Sequence, residues 1–199
     1  VESGASTLTM QLVKNTYVQE ALEMDTEEER QAAYLEATDP NFDRKLKEMK
    51  IAIGLEKRYT KKEILVAYLN VAYFSDQTYG IEAAAQRYFG VSAANLTLAQ
   101  SASLIAIVQY PNQRGLADPE NFGENEVRRD FILGQMLKEG FITQEQYDEA
   151  YAIPVDEAFV AAGVPPQQGC RTADVYFRWF CDYVVKSVQD FEFLGATVE

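Results

Sequence analysis

Four capping-box patterns, in each of which a threonine before a predicted helix stands three residues ahead of a glutamate or glutamine, constrain the fold more than any other feature of the sequence. They are Thr26 with Glu29, Thr60 with Glu63, Thr97 with Gln100 and Thr143 with Gln146. In such a capping box the threonine oxygen accepts an N–H of the first helical turn, and the acidic or amide side chain reaches back to the threonine N–H. Each pair therefore predicts a helix start. Since no stretch clearly alternates apolar and polar residues as a half-buried strand does, we predict a mostly α fold.

The composition changes near residue 152. Helical spacing dominates before that point, whereas Pro154, Gly163, Pro165, Pro166 and Gly169 predict a short linker segment after it. A length of 199 residues is enough for one domain with its own core. We therefore predict a domain over residues 1–152, and over 153–199 a linker and the start of a further region. No run of 18 apolar residues that could span a membrane is present.

The charge and the histidine content exclude several kinds of function. The chain has 18 Lys and Arg against 31 Asp and Glu, a net charge of −13, whereas a protein that binds nucleic acid needs a basic face. It has no histidine, which removes Ser-His-Asp and Cys-His nucleophiles and His-ligated metal sites. Acid–base chemistry must then come from carboxylates, lysines or tyrosines.

Cys170 and Cys181 are the two cysteines, and ten residues separate them. Two ligands cannot form a four-ligand zinc site, and the spacing is too long for a Cys-x-x-Cys redox motif. We interpret the pair as a disulfide that closes a short loop, which implies an oxidising compartment. The alternative is two reduced thiols in a core.

The charged residues between positions 41 and 56 are the first candidates for a chemical site. On a helix Arg44 and Glu48 lie one turn apart with Lys45 beside them, so two cations and a carboxylate share one patch. From Met49 to Leu55 the helix is apolar nearly all round, which predicts that it is buried through the centre of the domain. The alternative is an exposed ion pair worth about 0.3–0.5 kcal/mol.

A second polar set lies at the start of the first predicted helix. Ser6 or Thr7 is predicted as its N-cap, and Ser6, Thr7, Gln11 and Lys14 can converge on an anionic ligand at the positive end of the helix. The alternative is a capped helix with an ordinary polar face. Residues 20–39 form an acidic run, which we interpret as a solvated surface helix or a flexible excursion rather than a metal site.

Four blocks in order carry a resemblance to a known family. They are Gly4-Ala-Ser-Thr-Leu-Thr-Met-Gln11, Arg44-Lys-Leu-Lys-Glu48, Lys62-Glu-Ile-Leu65 with Tyr68-Leu-Asn70, and Gly80-Ile-Glu-Ala-Ala-Ala85 with Tyr88-Phe-Gly90. Over residues 4–152 the chain resembles glycosyltransferase family 51, the peptidoglycan transglycosylase domain of class A penicillin-binding proteins. The acidic insertion between Asn15 and Arg44 resembles actinobacterial members. The stretch from Cys170 to Val184 resembles the segment that follows this domain in actinobacterial bifunctional enzymes, so residues 153–199 would be a linker and the start of the region that leads to a transpeptidase domain.

The resemblance implies a lysozyme-like helical domain on the extracytoplasmic face of the bacterial cytoplasmic membrane, which polymerises lipid II and releases undecaprenyl diphosphate. Its partners would be lipid II, the nascent glycan chain and, through residues upstream of this chain, the membrane surface. A divalent cation, Mg²⁺ or Mn²⁺, on the diphosphate would be its one cofactor.

Within the site, Glu48 matches a catalytic glutamate of the family. Lys14, Arg44 and Lys45 are suited to hold the departing diphosphate, and the implied role of the other residues is to position sugar or phosphate oxygens. Those other residues are Ser6, Thr7 and Gln11.

The chain also departs from the family pattern. The Glu-Asp block with the general base precedes the glycine block and is not in this sequence, so we expect an N-terminally truncated chain that is inactive by itself. Met10, Ser75 and Gln100 stand where many members have Gln, Gly and Glu. Two other functions stay open: a lysozyme or lytic transglycosylase, which needs no basic diphosphate site, and a non-catalytic scaffold of the cell-wall machinery.

Overall fold

The computed structural model describes residues 6–160 and 163, and the regular structure of this part of the chain is helical. Ten α-helices follow one another there: α1 Leu8–Leu22, α2 Glu27–Thr38, α3 Phe42–Arg58, α4 Lys61–Val71, α5 Ile81–Phe89, α6 Leu98–Ile107, α7 Pro111–Arg114, α8 Phe122–Lys138, α9 Gln144–Tyr151 and α10 Glu157–Val160. The predicted mostly α fold is confirmed. None of these helices is both long and apolar enough to cross a membrane. Cys170, Cys181 and most of the predicted linker lie outside the described residues, so the disulfide and the domain division stay predictions.

All four predicted capping boxes form, at the starts of α2, α4, α6 and α9. At α4, for example, Glu63 accepts hydrogen bonds from the backbone N–H and the hydroxyl of Thr60, each at 2.8 Å. These bonds lower the pKa of Glu63. At pH values above the ordinary pKa of a glutamate, the cap therefore makes its full contribution to the stability of α4. That contribution is lost as the pH falls through the lowered pKa of Glu63.

The main core lies between α4, α5 and α6, and the loop before α5 enters it. Its most buried large side chains are Phe74, Tyr88, Phe89, Leu104 and Ile107. A smaller cluster joins α6, α8 and α9. The first helix lies against α2, α3 and α4 at one side of this core. This arrangement sets the polar start of α1 opposite the charged start of α3.

The prediction that α3 is buried through the domain centre is wrong. Glu48 and Ala52 are its buried residues, whereas Met49 is 45% exposed and Ile53 is 55% exposed. The reason is that α3 packs mainly against α1 and α4. Two neighbours on one side cannot cover a helix that is apolar nearly all round.

The loop between α4 and α5 has a demanding backbone. Ser75, Asp76 and Gln77 have φ values of 70°, 47° and 55°, a left-handed conformation that costs a non-glycine residue roughly 1–2 kcal/mol. Arg87 bonds the Asp76 carboxylate at 2.8–2.9 Å, and the loop packs so closely on Gly115 that a Cβ there would lie 2.3 Å from the Ser75 hydroxyl oxygen. These contacts offset the backbone cost and fix the loop in place.

Tyr88 gives a direct test of this loop. Its buried hydroxyl donates to the Phe74 carbonyl at 2.8 Å, and burial raises the pKa of Tyr88 far above that of a free tyrosine. We expect Tyr88→Phe to lower the free energy of unfolding by about 1–3 kcal/mol, because a buried carbonyl loses its partner. Urea unfolding followed by circular dichroism measures this effect. Tyr59→Phe at a tyrosine that is 51% exposed is the control, and equal stability of the two variants would contradict the prediction.

Candidate functional site

The carboxylate of Glu48 is the centre of the site. The residue is 1% exposed, and a different cation bonds each of its oxygens. The Arg44 guanidinium donates from Nη1 to Oε1, and the Lys45 ammonium donates to Oε2 at 2.8 Å. A buried carboxylate needs such partners, since an unpaired charge in a protein interior is very costly. The side chains of Arg44 and Lys45 are 18% and 35% exposed, so the cations border open space while Glu48 lies behind them.

The start of α3 places these three side chains together. Asn41 is the N-cap, and its side-chain oxygen accepts the Arg44 N–H at 2.7 Å. Arg44 and Lys45 precede Glu48 by four and three residues, so both cations lie on the same side of the helix as the Glu48 carboxylate. Arg44 also donates from Nε to the Asp39 carbonyl, which anchors its guanidinium at both ends. The ion pairs are therefore the result of local helix geometry and a fixed helix start.

The first helix forms the facing wall. Besides its bond to Glu48, the Lys45 ammonium donates to the Ser6 hydroxyl at 2.7 Å, so one cation joins α3 to the start of α1. One turn further along, Gln11 accepts a hydrogen bond from the Tyr68 hydroxyl at 3.3 Å, which joins α1 to α4. Burial raises the pKa of Tyr68, which therefore stays a neutral donor at pH 7.

A groove of about 660 Å³ lies between these elements. Six of the seven predicted site residues line it, and we call it the cation groove: Ser6, Gln11, Lys14, Arg44, Lys45 and Glu48. The seventh, Thr7, does not. Its hydroxyl oxygen accepts the Met10 N–H at 3.2 Å as the N-cap of α1, so the structure assigns it a capping position.

The opposite side of the cation groove is apolar, and sequence reasoning missed it. Leu65, Leu69, Ile105 and Val108 line this side, and Leu65 and Ile105 are 44% and 41% exposed. An apolar stripe at helical spacing, such as that of α4, predicts core packing. The sequence did contain one signal: the apolar band of α4 is broader than a single buried stripe needs. The band consists of Ile64, Leu65, Tyr68 and Leu69. Ile64 is buried in the core, whereas Leu65 and Leu69 line the groove. Tyr68 is buried as well, but it also lines the groove, where its hydroxyl bonds Gln11.

The three departures from the family pattern have different structural settings. Gln100 bonds the Thr97 N–H at 2.9 Å as a capping-box partner, a role that an amide fills as a carboxylate does. Met10 is buried at the edge of the cation groove. Ser75 is the first of the three left-handed loop residues, where a glycine would avoid the steric cost.

Comparisons with known proteins identify relatives of this chain by sequence. A family model described as "Transglycosylase" matches residues 1–137. The chain is 33% identical over 190 residues to penicillin-binding protein 1A of Streptococcus oralis, which is 95% of this chain and 26% of that protein. It is 34% identical over 160 residues to penicillin-binding protein 1A of Pseudomonas aeruginosa, which is 80% of this chain and 17% of that protein.

Among solved structures, penicillin-binding protein 1A from Haemophilus influenzae aligns with 98% of this chain and 22% of its own, at 20% identity and a TM-score of 0.47. The chain thus spans about a quarter or less of the length of these relatives.

Proposed function

Since this chain belongs to the transglycosylase family, glycosyltransferase family 51, we propose that it is the peptidoglycan glycosyltransferase unit of a cell-wall enzyme that polymerises lipid II. The observation that supports this most is the cation groove, where fixed positive charges surround one buried carboxylate and face an apolar wall. We further propose that the unit works on the extracytoplasmic face of the cytoplasmic membrane, where lipid II and the nascent glycan chain are its partners.

The cations suit the leaving group of that reaction. The 4-hydroxyl of an acceptor sugar attacks the anomeric carbon of the growing chain, and the bond from that carbon to the diphosphate oxygen breaks. The electron pair goes to the diphosphate, and the hydroxyl proton goes to a base that the family places before the glycine block. Arg44, Lys45 and Lys14 stabilise the negative charge that develops on the diphosphate, as preorganised donors do in other active sites.

Glu48 supplies the complementary charge. As the diphosphate takes over hydrogen bonds from Arg44 and Lys45, the carboxylate faces the positive charge that develops at the anomeric carbon. A glycan-cleaving enzyme instead needs a carboxylic acid that gives a proton to the leaving sugar. Here each oxygen of Glu48 already accepts a hydrogen bond from a cation, which favours the transfer reaction over the cleavage reaction.

The described residues do not fit a resident metal ion at this site. Glu48 is the single carboxylate of the cation groove, and its oxygens are bonded to Arg44 and Lys45. No group of three Asp, Glu, Cys or His residues that could hold a metal lies elsewhere in residues 6–160. The implied Mg²⁺ or Mn²⁺ would therefore have to bind mainly through the diphosphate oxygens of the substrate.

Selective binding of a diphosphate tests the proposal on this chain. We expect farnesyl diphosphate in detergent to bind at least about tenfold more tightly than farnesyl monophosphate, because the second phosphoryl group engages a further cation. Added salt should weaken the binding of both. Isothermal titration calorimetry at two salt concentrations measures this difference. Equal affinities for the two compounds would contradict the proposed role of the groove.

A further inference from the structure

Two partly buried arginines lack a carboxylate partner, although the chain is strongly acidic. The described residues include seven arginines, and four of them form ion pairs with a carboxylate: Arg30, Arg44, Arg87 and Arg129. Arg58 is fully exposed to solvent near the end of α3. Arg114 of α7 and Arg128 of α8 are partly buried, yet neither forms an ion pair with a described residue. We call these two the arginine pair.

The two arginines are neighbours in space. Asn125 of α8 is buried, and its side-chain amide donates to the Arg114 carbonyl at 2.8 Å and to the Ser103 carbonyl at 3.1 Å. Arg128 follows Asn125 by three residues, which places it on the same side of α8. Burial lowers the pKa of Arg128, and the positive charge of Arg114 lowers it further. Both guanidinium groups stay charged at neutral pH, so two like charges lie close together.

Aromatic rings hold both guanidinium groups in place. Arg114 lies 4.9 Å from the ring centre of Tyr110, and Arg128 lies 4.9 Å from that of Phe131. Both distances are within the reach of a cation–π contact. Arg114 also donates from Nη1 to the Gln109 side-chain oxygen at 3.0 Å. Because the side chains are already ordered, an anion that binds them loses little affinity to side-chain ordering.

Unused hydrogen-bonding groups concentrate at this junction of α6, α7 and α8. Among the described residues, five buried side-chain N or O atoms have no hydrogen-bond partner, and four of them are here. They are Nε of Arg114, Nε of Arg128, the Ser103 hydroxyl oxygen and Oδ1 of Asn125. Ser103 and Asn125 are both 0% exposed. Native proteins pair most of their buried polar atoms, so a cluster of unpaired ones beside two unpaired cations points to a ligand.

We infer that the arginine pair binds a phosphate ester, at a site separate from the cation groove. Planar guanidinium groups bind phosphate oxygens through two N–H groups at once. A phosphate monoester carries roughly −1.5 to −2 charges at pH 7, which matches two arginines, whereas a carboxylate carries one. Neither arginine lines the cation groove. The inference goes beyond the proposed function and does not depend on it.

The test titrates the chain with glycerol 3-phosphate and follows the arginine Nε–H signals by NMR. We expect the signals of Arg114 and Arg128 to shift with one common Kd, and acetate to bind at least about tenfold more weakly. Arg128→Gln should raise the glycerol 3-phosphate Kd, read from the Arg114 signal, about tenfold or more. Arg58→Gln is the matched control, because it removes the same charge from an exposed position and should keep the Kd.

A conservative variant keeps the test independent of folding. Arg128→Lys retains the charge but not the planar fork, so its Kd should lie between those of the unmodified chain and Arg128→Gln. Circular dichroism first shows that both variants keep the helical content of the unmodified chain. Absence of shifts at the arginine pair, equal affinity for acetate, or one Kd for all variants would each overturn the inference.

Vesicles distinguish the two sources of such a phosphate ester. Co-sedimentation with vesicles of phosphatidylcholine and phosphatidic acid that is lost in Arg128→Gln would identify a lipid headgroup. Binding of glycerol 3-phosphate without co-sedimentation would identify a soluble ester. Co-sedimentation that Arg128→Gln leaves unchanged, with no shift by glycerol 3-phosphate, would overturn the inference.

Farnesyl diphosphate on the same variants separates this inference from the proposed function. Arg128→Gln should leave the farnesyl diphosphate Kd unchanged, and Arg44→Ala should leave the glycerol 3-phosphate Kd at the arginine pair unchanged. If farnesyl diphosphate binds selectively but glycerol 3-phosphate shifts neither arginine, the phosphate ester site is refuted while the proposed function stands. If glycerol 3-phosphate binds at the arginine pair but the groove does not distinguish diphosphate from monophosphate, the proposed function fails and the phosphate ester site stands.

Discussion

Replacing Glu48 with glutamine is expected to lower the rate of lipid II polymerisation about 10³-fold or more, while the affinity for a polyprenyl diphosphate stays the same or rises. Glutamine keeps the shape of the side chain but removes the negative charge that faces the anomeric carbon. The same change releases Arg44 and Lys45 from their ion pairs, so they become more available to phosphate oxygens. A rate that falls while binding persists identifies a group that acts in the transition state.

The rate is measured in a preparation that polymerises lipid II, and diphosphate binding is measured on the chain described above. Glu56→Gln is the matched control. Glu56 lies two turns further along α3 and accepts a hydrogen bond from Thr9 at 2.6 Å, outside the cation groove. This variant loses the same charge and should keep nearly full activity. If Glu48→Gln polymerises as fast as Glu56→Gln, Glu48 is only an ion-pair partner and the scaffold alternative gains support.

Replacing Arg44 with alanine is expected to raise the Kd for farnesyl diphosphate about 10–100-fold, which corresponds to the roughly 1.5–3 kcal/mol of a hydrogen bond to a charged group. Arg44 suits this role because its Nε is anchored on the Asp39 carbonyl, so little side-chain freedom is lost on binding. Arg44→Lys should recover part of the affinity, because a lysine keeps the charge but not the planar fork that binds phosphate through two N–H groups.

Lys50→Ala is the control for net charge. Lys50 is an exposed residue of the same helix and does not line the cation groove, so its loss changes the charge of the chain equally without changing the site. Equal increases of Kd in the two variants would show that overall charge, not groove geometry, governs binding. Because Arg44→Ala also leaves a buried oxygen of Glu48 unpaired, thermal unfolding must first show that the variant is folded at the titration temperature.

The helix starts were predictable because capping is local. The Thr60–Glu63 box, for instance, needs only residues within one turn, and the structure forms it as the sequence pattern predicts. The grouping of Arg44, Lys45 and Glu48 was predictable for the same reason. The burial of α3 was not, because it depends on which helices pack around it.

The sequence by itself determined that this chain is mostly helical, where its capped helices begin, and that two cations and a carboxylate share one turn of α3. Only the tertiary structure decided that Ser6 bonds Lys45, that three of the four residues in the apolar band of α4 line a groove, and that Tyr34 and Tyr79, 45 positions apart, line one cavity. Interactions within a helical turn follow from the fixed geometry of the helix. Contacts between distant segments depend on how whole helices pack, which no short stretch of sequence specifies.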